Sequence, residues 1–283
     1  MPTLYKFIAS HEAARFLLDG IVKFTPISEL NDPSELVPSM NREAVVESLQ
    51  RLRTTGYSDE DLAHLQQQGK LLQALAPRFQ AVHVPKDKVA ASRLIRSSFY
   101  DSIETLERLL GETAQEMSSK VGLLCLSKRF DSLPMWAHYA ANASGLVVEF
   151  RELEQAFSGD DTGVLRQATS ITYESDSSGV TFDPKSHRSL FFVKHQDWSY
   201  EQEVRIVLPL SKCRMTSFSG KTLYTYEIPK TSISRLIFGW NMSSASTQAI
   251  EDFVKDRNPA VEVWRANFKK GKVCLAKTPR ADF

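Results

Sequence analysis

Cysteine is scarce in this 283-residue chain, and its three copies lie far apart at Cys125, Cys213 and Cys274. An odd number of widely spaced thiols matches neither a disulfide framework nor the closely spaced ligand pairs of a structural zinc site. Cys125 stands within an apolar run, so we expect it in the hydrophobic core. These features indicate a protein of a reducing compartment.

Long hydrophobic runs are also missing. No stretch of the sequence approaches the ~18 apolar residues of a membrane-spanning helix. The first eight residues lack the apolar segment that is typical of a secretion signal. We therefore expect a cytoplasmic location.

The chain carries no excess of either charge, because 35 basic residues stand against 34 acidic ones and the formal net charge is +1. Only a local basic patch could therefore support binding to nucleic acid. The sequence also lacks a glycine-rich phosphate loop, which argues against a Rossmann-type or P-loop nucleotide site.

Short apolar segments predict many strands, and 42% of the residues are hydrophobic, which is enough for one large core. We predict strands over residues 4–8, 21–25, 121–127, 145–150, 168–173, 222–228, 233–240 and 261–268. We predict helices from a Ser10 N-cap to Leu18, over 134–140, and over 245–257 behind a Ser243 N-cap. Because strands and helices do not alternate regularly, the pattern indicates an α+β fold with a mixed, largely antiparallel sheet.

Residues 41–120 differ from the rest, because they are rich in Gln, Glu, Arg, Leu and Ala and repeat apolar residues at helical spacing. We predict three or four amphipathic helices there, broken near Gly56, Gly69 and Pro85. Their basic residues are interleaved with acidic ones, which favours a solvated helix face over a polyanion site. We expect a single domain over 1–283, with 41–120 as a helical insertion or lid within it.

Residues 198–208 form the most informative segment. Read as a strand, it directs Tyr200 and the apolar residues to one face and Glu201, Glu203 and Arg205 to the other. Such a charged row is most often a solvated outer face. It can also form the floor of an active site.

Six short motifs occur in order along the chain. They are Tyr5-Lys6-Phe7, Asn31-Asp32-Pro33-x-Glu35, Leu124-Cys125-Leu126-Ser127, Met135-Trp136-x-His138-Tyr139-Ala140, Gly145-Leu146-Val147-Val148-Glu149-Phe150 and Trp198-x-Tyr200-Glu201-x-Glu203-x-Arg205. This series resembles the bacterial domain-of-unknown-function family numbered 2971, over most of the chain outside residues 41–120.

The order of the motifs is also similar, more distantly, to that of ADP-ribosyltransferases, which use an early strand, a mid-chain motif and a late strand bearing Glu-x-Glu. The early Arg or His and the Ser-Thr-Ser triplet of the best-studied subclasses are absent here. The resemblance implies an ADP-ribosyltransferase-like fold and an NAD-dependent ADP-ribosyltransferase or NAD glycohydrolase. In bacteria such enzymes include toxins and defence effectors.

The resemblance also implies roles for individual residues. Glu203 would stabilise the oxocarbenium-like state formed when the nicotinamide–ribose bond breaks, and Glu201 would orient or deprotonate the acceptor. Arg205 would keep Glu203 ionised or contact a phosphate. Other candidates for NAD binding are Tyr5, Lys6, Asn31, Asp32, Ser127, His138 and Tyr139, with Lys194 as a further candidate. We expect Trp136 in the core, no metal, and protein, nucleic acid or water as the acceptor.

Two interpretations that assign the protein to other functional classes stay open. A nucleic-acid-processing protein would bind Mg²⁺ through the carboxylates of Asp32, Glu35, Glu149, Glu201 and Glu203. A non-enzymatic binding module would use the charged strand as a solvated face and the helical insertion as a partner site. Dependence on metal separates the first of these from the NAD hypothesis, and the effect of Glu203→Gln separates the second.

Overall fold

The computed structural model describes residues 3–32, 42–75, 84–96, 103–157, 167–175, 189–218 and 220–278. Within these ranges, eleven strands form one sheet and two short strands form another. Neighbouring strands run antiparallel except for two parallel pairs, which join β11 (Ile233–Phe238) to β12 (Glu262–Lys269) and β6 (Thr172–Glu174) to β7 (Val193–His195). The prediction of an α+β fold with a mixed, largely antiparallel sheet is confirmed.

The centre of the sheet comes from the predicted apolar strands. The strands β4 (Leu146–Phe150), β1 (Leu4–Ile8) and β3 (Val121–Ser127) lie side by side. All five residues of β4 are buried, as are six of the seven in β3. One full edge of β3 pairs with β8 (Glu203–Pro209) over seven positions, and β8 in turn pairs with the short β5 (Thr169–Ser170).

The other edge of β3 is only partly paired. It meets β2 (Ile21–Pro26) at Leu123 and Gly122, and it meets β1 only where Tyr5 lies opposite Ser127. Between these contacts the carbonyl of Cys125 accepts a hydrogen bond from Lys6 Nζ at 2.8 Å instead of from a strand. A buried backbone acceptor needs a partner, so Lys6 completes the edge where β1 and β2 diverge.

Helices cover both faces of the sheet. On one face α1 (His11–Leu18) and α8 (Ser244–Arg257) pack over the largest apolar cluster, which includes Leu18, Phe24 and Ile250. Both helices begin as predicted, because the Ser10 and Ser243 side chains accept hydrogen bonds from the amides of Ala13 and Ser246.

The opposite face carries two separate apolar clusters. One lies under α6 (Leu133–Tyr139) and contains the fully buried Trp136, which confirms its prediction as a core residue. The other lies where Met117 of α5 (Ile103–Lys120) packs beside the short α7 (Ser189–Phe192). Glu203 and Glu201 contact both clusters, through Tyr173 of one and Tyr139 of the other.

The described parts of residues 41–120 contain four helices, namely α2 (Arg42–Thr55), α3 (Asp59–Leu75), α4 (Lys88–Arg96) and α5. The predicted breaks at Gly56 and Pro85 fall between helices. The break at Gly69 is wrong, because this residue lies inside α3, where a glycine costs only ~1 kcal/mol relative to alanine. No helix in the described ranges is long and apolar enough to cross a membrane.

Two hairpins end the sheet. At one end β9 (Arg214–Phe218) pairs with β10 (Lys221–Glu227), and at the other β13 (Lys272–Lys277) pairs with β12. We predicted neither β9 nor β13. Both are edge strands, and their sequences are too polar to show the pattern of a buried strand.

Candidate functional site

The segment 198–208 does not form one continuous strand, so this prediction is corrected. Residues Gln196–Glu201 form a 3₁₀ helix, Gln202 takes a left-handed conformation with φ of 43°, and β8 begins at Glu203. Tyr200 consequently leaves the apolar face assigned to it and packs beside His138 and Trp198. Glu201 and Glu203 nevertheless come together, because the turn at Gln202 brings their side chains to one site.

A row of polar side chains crosses five neighbouring strands at this level of the sheet. Backbone register places Arg235 opposite Glu149, Glu149 opposite Tyr5, Tyr5 opposite Ser127, and Ser127 opposite Glu203. Residues in register share a face of the sheet. The row therefore connects the gap between β1 and β3 with the carboxylate of Glu203 at the start of β8.

A cavity of about 440 Å³ opens at this gap. Its volume is in the range of small-molecule sites. The lining residues include aromatic and apolar side chains together with two carboxylates and two lysines, namely Tyr5, Phe7, Met135, His138, Tyr139, Glu201, Glu203, Lys6 and Lys194.

Four charged side chains form a buried cluster at the base of this cavity. Lys194 Nζ lies 2.8 Å from Glu201 Oε2 and 3.2 Å from Glu203 Oε2, and it therefore joins the two carboxylates. Arg205 donates to both oxygens of Glu203, from Nε at 2.7 Å and from Nη2 at 3.0 Å. All four are less than 7% exposed. The interpretation of this row as a solvated face is therefore wrong.

The environments of the two carboxylates shift their pKa values in opposite directions. Burial alone would raise the pKa of Glu203, but the charge and hydrogen bonds of Arg205 outweigh burial and hold it well below its usual range. Burial raises the pKa of Glu201, and the nearby Lys194 only partly opposes this effect. Glu203 therefore stays ionised, whereas Glu201 takes up a proton at a higher pH than an ordinary glutamate does.

Hydrogen bonds orient Glu201 toward the cavity. Tyr139 donates its hydroxyl to Glu201 Oε1 at 2.6 Å, and Asn31 Nδ2 donates to the same hydroxyl at 2.8 Å. Ser127 Oγ donates to the backbone carbonyl of Glu201 at 2.6 Å. Burial, and then the contact with Glu201, raise the pKa of Tyr139, so this phenol stays protonated and acts as a donor.

The structure brings most of the predicted site residues together. Tyr5, Lys6, Asn31, Ser127, His138, Tyr139, Glu201 and Glu203 all line the cavity. Two do not. Arg205 lies behind Glu203 and donates its remaining Nη1 to the Phe191 carbonyl at 2.9 Å, a position suited to holding Glu203 and not to meeting a phosphate. Asp32 is buried but is not among the described residues that line the cavity.

Three residues contribute to the site but are not among the main site residues predicted from the sequence. Lys194, only a secondary candidate, is the centre of the cluster, because the parallel pairing of β6 with β7 sets it opposite Tyr173. The Tyr173 hydroxyl accepts a hydrogen bond from the backbone amide of Glu203 at 2.7 Å, and burial raises the pKa of Tyr173 to about 12. Cys125 lines the cavity instead of packing wholly in the core. The one available signal for Lys194 was a lysine close in sequence to two glutamates.

The geometry does not favour the magnesium hypothesis. Glu149 is bound by Arg235 at 3.2 Å and by Ser234 at 2.7 Å, while Glu203 is bound by Arg205. Glu35 lies outside the described residues. Among the residues that the structure describes, no group of three or more acidic, histidine or cysteine side chains is arranged to hold a metal ion. The cysteines Cys125, Cys213 and Cys274 are free thiols, as expected.

Comparison with known proteins gives one match. No curated protein and no solved structure matches the chain. The matching segment, residues 135–206, begins in α6 and ends in β8, so it contains Tyr139 and all four members of the charged cluster. Over this segment the chain matches the family described as "Protein of unknown function (DUF2971)".

Proposed function

We propose that the cavity binds NAD and that the protein breaks its nicotinamide–ribose bond, transferring ADP-ribose to an acceptor or to water. The observation that carries this proposal is a pair of carboxylates in one cavity whose pKa values are shifted in opposite directions. Such a pair supplies a permanent anion and a proton acceptor to the same reaction.

The reaction needs both properties. When the glycosidic bond breaks, nicotinamide leaves with the bonding electron pair and positive charge develops at the ribose. A preorganised negative site lowers the energy of that state. The nucleophile then bonds to the ribose carbon and loses its proton to a base, for which Glu201 is suited by its raised pKa.

The contacts favour Glu201 over Glu203 as the carboxylate that touches the substrate. Both oxygens of Glu203 already accept from Arg205, and one also accepts from Lys194. Glu201 accepts one hydrogen bond at each oxygen, from Tyr139 and from Lys194. We therefore assign Glu203 to fixing Lys194 and supplying negative charge, and Glu201 to direct contact with ribose or nucleophile.

The walls of the cavity suit a planar cationic ring. Tyr5, His138 and Tyr139 present aromatic surfaces, and a nicotinamide ring stacks favourably on such surfaces. Asn31 at the rim offers an amide to a polar group of the substrate. The mixed sheet that diverges between β1 and β3 is compatible with the ADP-ribosyltransferase-like fold that the sequence resemblance implies.

Release of nicotinamide from NAD by the purified protein, in the presence of a metal chelator, tests the proposal. We expect release by the wild type, a loss of at least about 100-fold in Glu201→Gln, and little change in Glu227→Gln, whose side chain is 79% exposed. Dependence on added cell lysate would indicate a macromolecular acceptor and would open the question of a toxin or defence role.

Two results would contradict the proposal. One is an absence of both nicotinamide release and thermal stabilisation by NAD. The other is an equal rate in wild type and Glu201→Gln, which would assign any release to a contaminant.

A further inference from the structure

We infer that the hairpin formed by β12 and β13 is a binding surface for single-stranded nucleic acid. Residues 263–278 contain five basic residues and no acidic one, although the whole chain has a net charge of only +1. Three of the lysines, Lys269, Lys270 and Lys272, lie exposed at its tip. A polyanion is the partner that this charge complements.

The tip is built as a tight turn. Lys269 pairs with Lys272, and Lys270 and Gly271 both have positive φ, at 50° and 77°. Two successive residues with positive φ are typical of the type I′ turn that fits the twist of a hairpin. A lysine is unusual at positive φ. This turn therefore carries a cation at a position where asparagine or glycine would have less backbone strain.

The tip lysines differ from many of the cations elsewhere in the described residues. Lys120, Lys230 and Arg108, for example, each lie within 3.0 Å of a carboxylate oxygen. Within the described residues, Lys269, Lys270 and Lys272 form no ion pair. Lysines at a sheet edge also prevent edge-to-edge aggregation, but that role needs neither three adjacent cations nor the aromatic surface beside them.

An aromatic surface lies next to these lysines. Phe268 is 50% exposed and its ring lies 6.3 Å from that of Trp240, centroid to centroid. Trp240 in turn contacts the buried Trp136 at 5.3 Å, so the exposed ring is supported from below. A rigid aromatic face flanked by cations suits the stacking of an unpaired base beside its phosphates.

This composition favours nucleic acid over a lipid surface. Of the large apolar side chains exposed in the described residues, only Phe268 lies on this hairpin. One phenylalanine buries little area in a bilayer, whereas interfacial segments present a broad apolar face. One ring is enough to stack one base.

Fluorescence anisotropy of the full chain with a labelled oligouridylate of about 20 nucleotides, without NAD, tests this inference. We expect binding that weakens as salt rises. We expect the triple variant Lys269→Ser/Lys270→Asn/Lys272→Ser to bind at least about tenfold more weakly and to reduce the slope of log K against log salt by about 2, or roughly 0.7 for each phosphate contact. We also expect Phe268→Leu to lose about fivefold or more through weaker stacking.

The matched control removes three exposed cations from the opposite edge of the sheet, as Lys212→Ser/Arg214→Ser/Lys221→Ser. Because its net charge changes equally, affinity close to wild type in this control would show that the effect is local. Equal losses in the two triple variants, or no binding by the wild type, would overturn the inference. Tighter binding to anionic phospholipid vesicles than to the oligonucleotide, lost in the hairpin variant, would overturn it in favour of a lipid surface.

Discussion

Glu203 and Glu201 are separated by a single residue in sequence, and they differ in environment. Glu203 is held on both oxygens by a guanidinium that is itself 2% exposed. Removing one partner of such a pair leaves an uncompensated buried charge, which is far more costly than the pair. Glu201 faces a phenol and an ammonium instead. The two carboxylates therefore suit different chemical roles. The alternation of residues along a strand could not predict this difference.

Tyr139→Phe tests the assignment of Glu201 as the base. Burial raises the pKa of Glu201, and the Tyr139 hydrogen bond lowers it. Without this bond the pKa rises further, so the fraction of Glu201 able to accept a proton falls at a given acidic pH. We expect the acidic limb of the NAD-consumption rate to lie above the ordinary glutamate pKa of about 4.3, and to move to higher pH in the variant.

The control for that pH profile is Tyr200→Phe, which also removes a hydroxyl near the cavity. The Tyr200 ring packs beside His138 and Trp198, and its hydroxyl is not one of the groups shown to donate to Glu201 in the described residues. An acidic limb that moves equally in the two variants, or that moves to lower pH in Tyr139→Phe, would contradict the assignment.

At the scale of elements, the change from 3₁₀ helix to strand at Gln202 positions the site. Its amide donates to the Ser199 carbonyl, and its own carbonyl accepts from Lys128. Because the backbone at Gln202 is left-handed, the chain turns between the two glutamates. The periodicity of residues 198–208 resembles a strand, so the sequence alone could not reveal this turn.

Substitutions at Gln202 should separate conformation from side-chain chemistry. A β-branched residue is strongly disfavoured at positive φ, and we expect Gln202→Val to lower the free energy of unfolding by about 1–3 kcal/mol. Gln202→Gly should stay within about 1 kcal/mol of wild type, because glycine adopts this conformation freely. Urea unfolding measures both.

Gln115→Val provides the comparison for the Gln202 variants, at an exposed position of α5. There the cost should stay below about 0.7 kcal/mol, because only helix propensity changes. A valine tolerated equally at both positions would show that the turn at Gln202 does not constrain the fold.

The elements themselves were predicted unevenly. Buried strands such as β3 and β4, and the capped helices α1 and α8, have strong local signals, and the structure confirms them. The edge strands β9 and β13 lack such signals because only one of their edges and part of one face meet the protein. The position of Lys194 depends on the pairing of β6 with β7, a tertiary contact that local sequence does not encode.

At the scale of the whole molecule, the approach of α6 to the sheet depends on backbone contacts after the helix. Ala141, Asn142 and Ala143 all have positive φ, and the chain then enters β4 through Gly145. A Cβ on Gly145 would collide with the carbonyl oxygen of Ile8 in β1. This close approach keeps α6, and with it Tyr139, over the gap between β1 and β3.

Gly145→Ala should therefore lower the stability of the fold. We expect a loss at or above the upper end of the ~1–3 kcal/mol that overpacking costs, measured by thermal or urea unfolding. Gly111→Ala is the matched control, because nothing lies within 4 Å of its added Cβ in α5. That change should raise stability by up to about 1 kcal/mol. Equal effects at the two glycines would contradict the role given to this contact.

The compactness of the charged cluster in sequence has a consequence for finding related proteins. Lys194, Glu201, Glu203 and Arg205 can be written as Lys-x₆-Glu-x-Glu-x-Arg, a pattern that lies wholly inside the matched segment 135–206. A remote sequence could differ in the region of residues 41–120 and in its edge hairpins and still carry this spacing downstream of a Trp-x-x-Tyr helix. Searching genomes for that combination would collect candidates whose overall similarity is too low for detection by other means.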